Sequence, residues 1–155
     1  MFIGPCIAKK VEAREHRETI NYVLTFEEIM CMLEGKDIKF AEMSGDTAYE
    51  RDASKLGLSF PLTAGVSAAV QDTVAAMGGE VHNAQYCSGL DKCRDTVKAA
   101  AAGKLDCSYI EGMACSNGCI DGPAAVGDFH ITKVALTKYA AAAPNKQAAE
   151  DKHTK

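Results

Sequence analysis

Three times along this chain a helical pattern runs into glycine and then, within a few residues, into a short extended segment. Thr25-Phe26-Glu27-Glu28 has the form of a capping box, which predicts a helix to about Leu33 with Gly35 as a left-handed stop, and Asp37–Ala41 follows as a weak strand. Thr63–Met77 places Val66, Ala69, Val70, Val74 and Met77 at helical spacing; Gly78-Gly79 ends it and Glu80–Tyr86 reads as a strand leading to Cys87. Leu90–Ala102 gathers Leu90, Cys93, Val97, Ala100 and Ala101 on one side, stops at Gly103, and gives way to the alternating strand Leu105–Ile110. Tyr22-Val23-Leu24 is a further strand, His130–Ala143 a further helix, and Met43–Leu62, rich in Gly, Ser, Asp and Pro, a long surface excursion. Strand, helix and strand in alternation predict an α/β fold: a mostly parallel sheet flanked by helices and joined by right-handed crossovers.

The 155 residues are enough for one domain with its own core, expected over residues 1–143, with 144–155 as a polar, fraying tail. A net charge of −4 speaks against nucleic acid as a partner, because that binding needs a basic face to release counterions. No apolar run reaches the ~20 residues a membrane helix needs. Met1–Ala8 is too short for a signal peptide, and Lys9 and Lys10 follow the apolar stretch where a signal would have them precede it. The expectation is a cytoplasmic protein.

Seven cysteines is an odd count in a chain without an export signal, so a fully paired disulfide framework is excluded and metal ligation or redox chemistry leads. Cys31, Cys93 and Cys107 lie inside helix or strand patterns and read as small buried hydrophobes.

In an open parallel sheet the functional loops leave the carboxyl ends of the strands. Two such loops here carry cysteine. The first, after Met1-Phe2-Ile3, reads Gly4-Pro5-Cys6-Ile7-Ala8-Lys9-Lys10-Val11-Glu12. The second, after Leu105–Ile110, reads Glu111-Gly112-Met113-Ala114-Cys115-Ser116-Asn117-Gly118-Cys119-Ile120-Asp121-Gly122-Pro123. Two thiolates separated by three residues, with glycine in the turn, can converge on a soft metal, and iron–sulfur clusters take such ligands. Zinc uses similar donors but commonly from two short Cys/His hooks, and Cys6 stands alone at its end of the chain.

Both loops resemble signature motifs of the iron-only (FeFe) hydrogenases, whose site links a four-iron cubane through cysteine to a diiron unit. The first resembles Met-Pro-Cys-x-x-Lys-x-x-Glu, matched by Pro5, Cys6, Lys9 and Glu12. The second resembles Phe-x-Glu-x-Met-Ala-Cys-Pro-Gly-Gly-Cys, matched by Glu111, Met113, Ala114, Cys115, Gly118 and Cys119. The resemblance spans about Phe2 to Tyr139 and implies the C-terminal lobe of the catalytic domain. It implies Cys6, Cys115 and Cys119 as ligands of a 4Fe-4S cluster, with Cys119 bridging to the diiron subsite. Lys9 would donate to a cyanide ligand of that subsite and Met113 would pack beside it. Glu12 and Glu111 would hold the loop backbone or Lys9, with a simple exposed carboxylate as the alternative for Glu12, while Lys10 would be merely solvated.

Gly4, Ser116-Asn117 and Pro123-Ala124 depart from the prototypical pattern and resemble the family's divergent sensory or regulatory branch, coupled to signalling domains. The Thr-Ser-Cys-Cys-Pro motif, which implies the fourth cubane ligand and a proton-relaying thiol, is absent from the sequence. To substitute as that ligand, Cys87 or Cys93 would have to leave a strand end or a helix face. The expectation is therefore a gene fragment, an excised domain or half of a split enzyme, whose partner is an N-terminal lobe bearing that motif. An electron carrier such as ferredoxin would be a second partner, and the exposed face left by the missing lobe would favour homo-oligomers. The function expected of the intact protein is interconversion of protons, electrons and H2, with the isolated chain inactive and its cofactor labile or missing. A non-enzymatic iron–sulfur protein, like the hydrogenase-related factors of cluster assembly, is the alternative, and a lobe that binds nothing alone is a third reading.

Overall fold

The structure, a computed structural model, describes residues 1–44 and 53–145, which form two compact units. Residues 45–52, in the middle of the expected surface excursion, and 146–155, most of the expected tail, lie outside the described residues. Every strand pair among the described residues is parallel, as the alternation predicts. The strands are short and make two separate pairs.

In the first unit β1 (Phe2–Gly4) pairs with β2 (Val23–Thr25), Phe2 opposite Val23 and Gly4 opposite Thr25. Parallel neighbours need a crossover. It is α1 (Ala8–Glu15), a helix where the motif reading expects a loop. Lys9 bonds Glu12 one turn on, an i,i+3 pair that suits a helix. Lys10, expected to be merely solvated, reaches across to both carboxylate oxygens of Glu28 at 2.7 and 2.8 Å and to the Val23 carbonyl at 3.3 Å. It thereby ties the crossover to β2 and to α2 (Phe26–Glu34).

The capping box opening α2 is present as the sequence predicts: Glu28 N–H donates to Thr25 Oγ1 at 3.2 Å, and Thr25 N–H donates to Glu28 Oε2 at 2.8 Å. Thr25 is buried, so its cap holds helix to strand. Gly35 is not left-handed, however (φ −61°); the positive φ falls at Asp37 (56°), a residue type that tolerates it. The expected strand at Asp37–Ala41 is instead a 3₁₀ turn at Phe40–Glu42, and the segment pairs with no strand among the described residues. Cys31, expected in the core, is exposed on α2. Asp121–Asp128 belongs to this unit too: Ala124, almost fully buried, donates its N–H to the Pro5 carbonyl at 3.2 Å.

In the second unit β3 (Gln85–Ser88) pairs with β4 (Ile110–Met113), with Cys87 opposite Gly112 and Ser88 opposite Met113. The crossover is α5 (Leu90–Ala101), closed at Gly103 with φ 67° as predicted. Both strands start later than the sequence pattern suggests, at Gln85 rather than Glu80 and at Ile110 rather than Leu105. The reason is a turn at His82-Asn83, where Asn83 has φ 44° and its side chain donates to the Asp106 carbonyl at 2.7 Å. A ladder begins only where both chains are extended, and the stretch before Ile110 faces a turn.

The short α3 (Lys55–Leu58) is capped by buried Ser54, and α6 (Phe129–Ala141) packs against it, with Ala140 buried. The remaining helix, α4 (Gly65–Ala76), lies against β4 with Ala69 buried and Val66, Val70 and Val74 half-buried, while Met77 is exposed. On α5, Leu90 and Val97 are exposed, and Cys93 and Ala100 carry its inner side.

Lys10 first, then the Thr25 amide, hold the Glu28 carboxyl below its usual value of 4.5. A depressed carboxylate stabilises the fold above its unfolded value, and that contribution is lost as pH falls through the folded one. Thr25→Ala is expected to cost about 1 kcal/mol in urea unfolding. Lys10→Met is expected to bring the Glu28 titration, followed by NMR, back toward 4.5. An unchanged Glu28 midpoint in that variant would remove Lys10 as the cause.

Candidate metal centre

The second cysteine loop begins inside β4. Alternation along the strand buries Glu111 and Met113 and turns Gly112 between them toward the Cys93 and Cys87 sulfurs. Glu111 is a buried carboxylate whose partners nothing in the local sequence names. Its Oε1 accepts from Ala64 N–H at 2.8 Å and its Oε2 from Ser67 N–H at 2.6 Å, so it caps the N-terminus of α4 across the unit. The first turn of a helix has amides without internal partners and a positive dipole end, and a carboxylate satisfies both. Ala64 sits there with φ 65° and has no side-chain cap of its own, so Glu111 from a distant strand supplies it. The family resemblance pairs Glu111 with the loop backbone or with Lys9; the structure gives it to α4.

Beyond β4 the chain turns tightly. Gly118 N–H donates to the Cys115 carbonyl at 3.2 Å, Gly118 has φ 86°, and Cys119 opens a 3₁₀ turn, Cys119–Asp121. A Cβ at Gly118 would lie 2.5 Å from the Pro61 carbonyl oxygen and 2.9 Å from the Thr63 amide. Only glycine meets both demands, left-handed backbone and close approach. Pro61 also accepts from Ile120 N–H at 3.4 Å, and Thr63 Oγ1 lies 3.0 Å from Ser88 Oγ at the end of β3. Gly65 packs against the residues just before that segment: a Cβ there would be 2.0 Å from the Ser59 carbonyl oxygen. The Pro61–Thr63 strap thus fixes the turn between the two cysteines. Nothing in its own sequence marked it, since Pro61 and Leu62 lay within the expected surface excursion. Cys115 is half-buried and Cys119 exposed on this fixed turn.

In the first unit Pro5 and Cys6 form the bend between β1 and α1, and Cys6 is half-buried one residue before the helix cap. Lys9 lies within the first turn and is bonded to Glu12, one of the two partners that the resemblance implies for Glu12.

Soft thiolates on a rigid glycine turn fit an iron–sulfur cluster in kind. In number they do not complete one. Among the described residues no three His, Cys, Asp or Glu side chains are gathered where they could hold a metal ion. Cys87 and Cys93, the candidates for a substitute ligand, are instead paired with each other behind β4, at 3.4 Å between sulfurs.

Comparison with known proteins agrees with the motif resemblance. Residues 1–123 match the family model of the C-terminal domain of the iron only hydrogenase large subunit. No curated protein matches the chain. A solved FeFe-hydrogenase structure, from work on oxygen inactivation through modification and degradation of the H cluster 2Fe subcluster, is similar in fold with a TM-score of 0.59 at 14% identity. The match covers 97% of this chain and 54% of that one, so the chain spans about half the length of that protein.

Two substitutions test the geometry of the loop. Gly118→Ala is expected to cost about 2–4 kcal/mol in urea unfolding, from backbone strain plus collision with the strap. Glu111→Ala is expected to cost about 3 kcal/mol by leaving two α4 amides unpaired, with Glu111→Gln recovering part of it. Near-wild-type stability of both variants would refute the capped, strapped loop.

Proposed function

Because the chain belongs to the family of the C-terminal domain of the iron-only hydrogenase large subunit, we propose that it is the part of an FeFe hydrogenase that supplies Cys6, Cys115 and Cys119 to a 4Fe-4S cluster and Lys9 and Met113 to the surroundings of a diiron subsite. The observation that carries the reading is the fixed turn from Cys115 to Cys119, which ends a strand anchored by Glu111 and is pinned by Gly118 against Pro61. The role given to Cys6 in the same centre rests on the motif resemblance at Pro5, Cys6, Lys9 and Glu12. When bound, the cluster and diiron unit would supply the electron transfer and hydrogen chemistry.

This chain's own residues bind, shield and orient. Met113 is buried and presents a polarizable thioether at the end of β4. Lys9 is a compact cationic donor, and its ammonium is already held by Glu12, which fixes its position before any anionic ligand arrives. Cys115 and Cys119 leave a turn that cannot relax, which keeps their spacing set.

The remaining cubane ligand and the proton-relaying thiol come, in this reading, from a segment bearing Thr-Ser-Cys-Cys-Pro. Exposed Ile3, Ile7 and Val11 around the Cys6 bend support a docking lobe there. Departures at Gly4, Ser116-Asn117 and Pro123-Ala124 support a sensing role, with a ferredoxin-like carrier and a signalling domain as further partners. None of the seven cysteines is in a disulfide, which suits the reducing cytoplasm, and no helix among the described residues is long and apolar enough to cross a membrane.

The test joins this chain to such a segment, matures the product anaerobically with the diiron unit, and assays H2 evolution and uptake. Activity is expected in the joined protein, none in the 155-residue chain alone, none after Cys119→Ser, and little change after Cys31→Ser. Turnover by the chain alone, or full activity without Cys119, would overturn the proposal. Without the docking lobe the chain is expected to self-associate in sedimentation at rising concentration; a strict monomer at every concentration would argue against an exposed docking face.

A further inference from the structure

Two thiols in this protein touch each other, and neither belongs to the proposed cluster. Cys87 lies near the end of β3 and Cys93 in the first turn of α5, with their sulfurs 3.4 Å apart. Each also has a backbone acceptor on β4: Cys87 Sγ is 3.4 Å from the Glu111 carbonyl oxygen, and Cys93 Sγ is 3.4 Å from that of Met113. The tight turn through Gly89, with φ 93°, brings the helix back over the strand it has just left. Cys87, though buried, is one of the residues that line a cleft with Thr63, Ser88, Lys92 and Ser116, which makes it the member of the pair nearer to a small solute.

We propose that Cys87 and Cys93 are a redox dithiol that peroxides oxidise to a reversible intramolecular disulfide. A disulfide requires sulfurs about 2.05 Å apart, so the pair closes by little more than about 1 Å of side-chain movement. The Cys87 thiolate attacks the peroxide O–O bond, which breaks; sulfur takes one oxygen as sulfenic acid, and water or an alcohol leaves. The Cys93 sulfur then attacks that sulfur, the S–S bond forms, the S–O bond breaks, and water leaves. Two thiols lose two electrons and two protons, and one peroxide is reduced. Burial first, then the neighbouring Cys87, push the Cys93 thiol up. Oxidation also takes both S–H donors away from the carbonyls of Glu111 and Met113, the strand that carries the α4 cap. The reaction needs no cluster.

The experiment uses the reduced 155-residue chain, cluster-free and anaerobic, with one equivalent of hydrogen peroxide followed by alkylation and trypsin. Trypsin cuts after Lys92, between the two cysteines, so the disulfide is read as a peptide ending at Lys92 linked to Cys93-Arg94 and released by dithiothreitol. That linked species is expected to dominate, with Cys115 and Cys119 recovered alkylated. In Cys93→Ser the link is lost and Cys87 is trapped by dimedone as the sulfenic acid. A second measurement needs no peroxide: phenylarsine oxide, which bridges neighbouring thiols, is expected to protect Cys87 and Cys93 together from alkylation, and to bind at least about tenfold more weakly in Cys93→Ser. Oxidation that falls on Cys31, Cys115 or Cys119 while Cys87 and Cys93 stay alkylated, Cys87 linked to any other cysteine, or an arsenical that protects neither thiol would overturn the proposal.

Discussion

A buried carboxylate with two amides holds the second unit in register. Glu111 leaves β4 and ends on the first turn of α4, and burial makes that bond expensive to lose: without the carboxylate, the Ala64 and Ser67 amides would have to find other partners. The same bond decides where β4 lies, because a shift of one residue would turn Glu111 outward and Gly112 inward. From that register follow the burial of Met113, the packing of Gly112 against the two thiols, and the point at which the strand gives way to the cysteine turn. The Pro61–Thr63 strap that covers the turn is the segment leading into α4. Cap, strap and turn therefore stand or fall together.

The first unit is tied by a smaller device of the same kind. Glu28 accepts from the Thr25 amide and from Lys10 at once, joining β2, α2 and α1 through one side chain. Because Glu28 is exposed, solvent screens it, and its effect is more on registration than on stability.

What could be read in the sequence was local. The capping box at Thr25, the left-handed stops at Gly78 and Gly103, and the helices behind Gly65 and Leu90 are set by neighbours a few residues away, and they lie where the pattern puts them. Pairing is not local. The starts of β3 and β4 moved because Asn83 turns the chain before Gln85, and Asp37–Ala41 had no partner strand among the described residues. The motif residues were legible by type and spacing, yet their contacts were not: Glu111 finds a helix 44 residues upstream, and Gly118 finds Pro61. Lys10, which read as solvated, is the residue that reaches Glu28. Cys87 and Cys93 look like unremarkable positions until the crossover lays one over the other.

The central claim is that the strapped turn offers its thiolates to a cluster, together with Cys6. Ligand protection tests it without any assay of turnover. The protein joined to its docking segment is reconstituted anaerobically with iron and sulfide, alkylated under native conditions, and mapped cysteine by cysteine. Cys6, Cys115 and Cys119 are expected to become protected in proportion to bound iron while Cys31 remains open. A protein that binds its cluster with Cys115 and Cys119 still freely alkylated would contradict it.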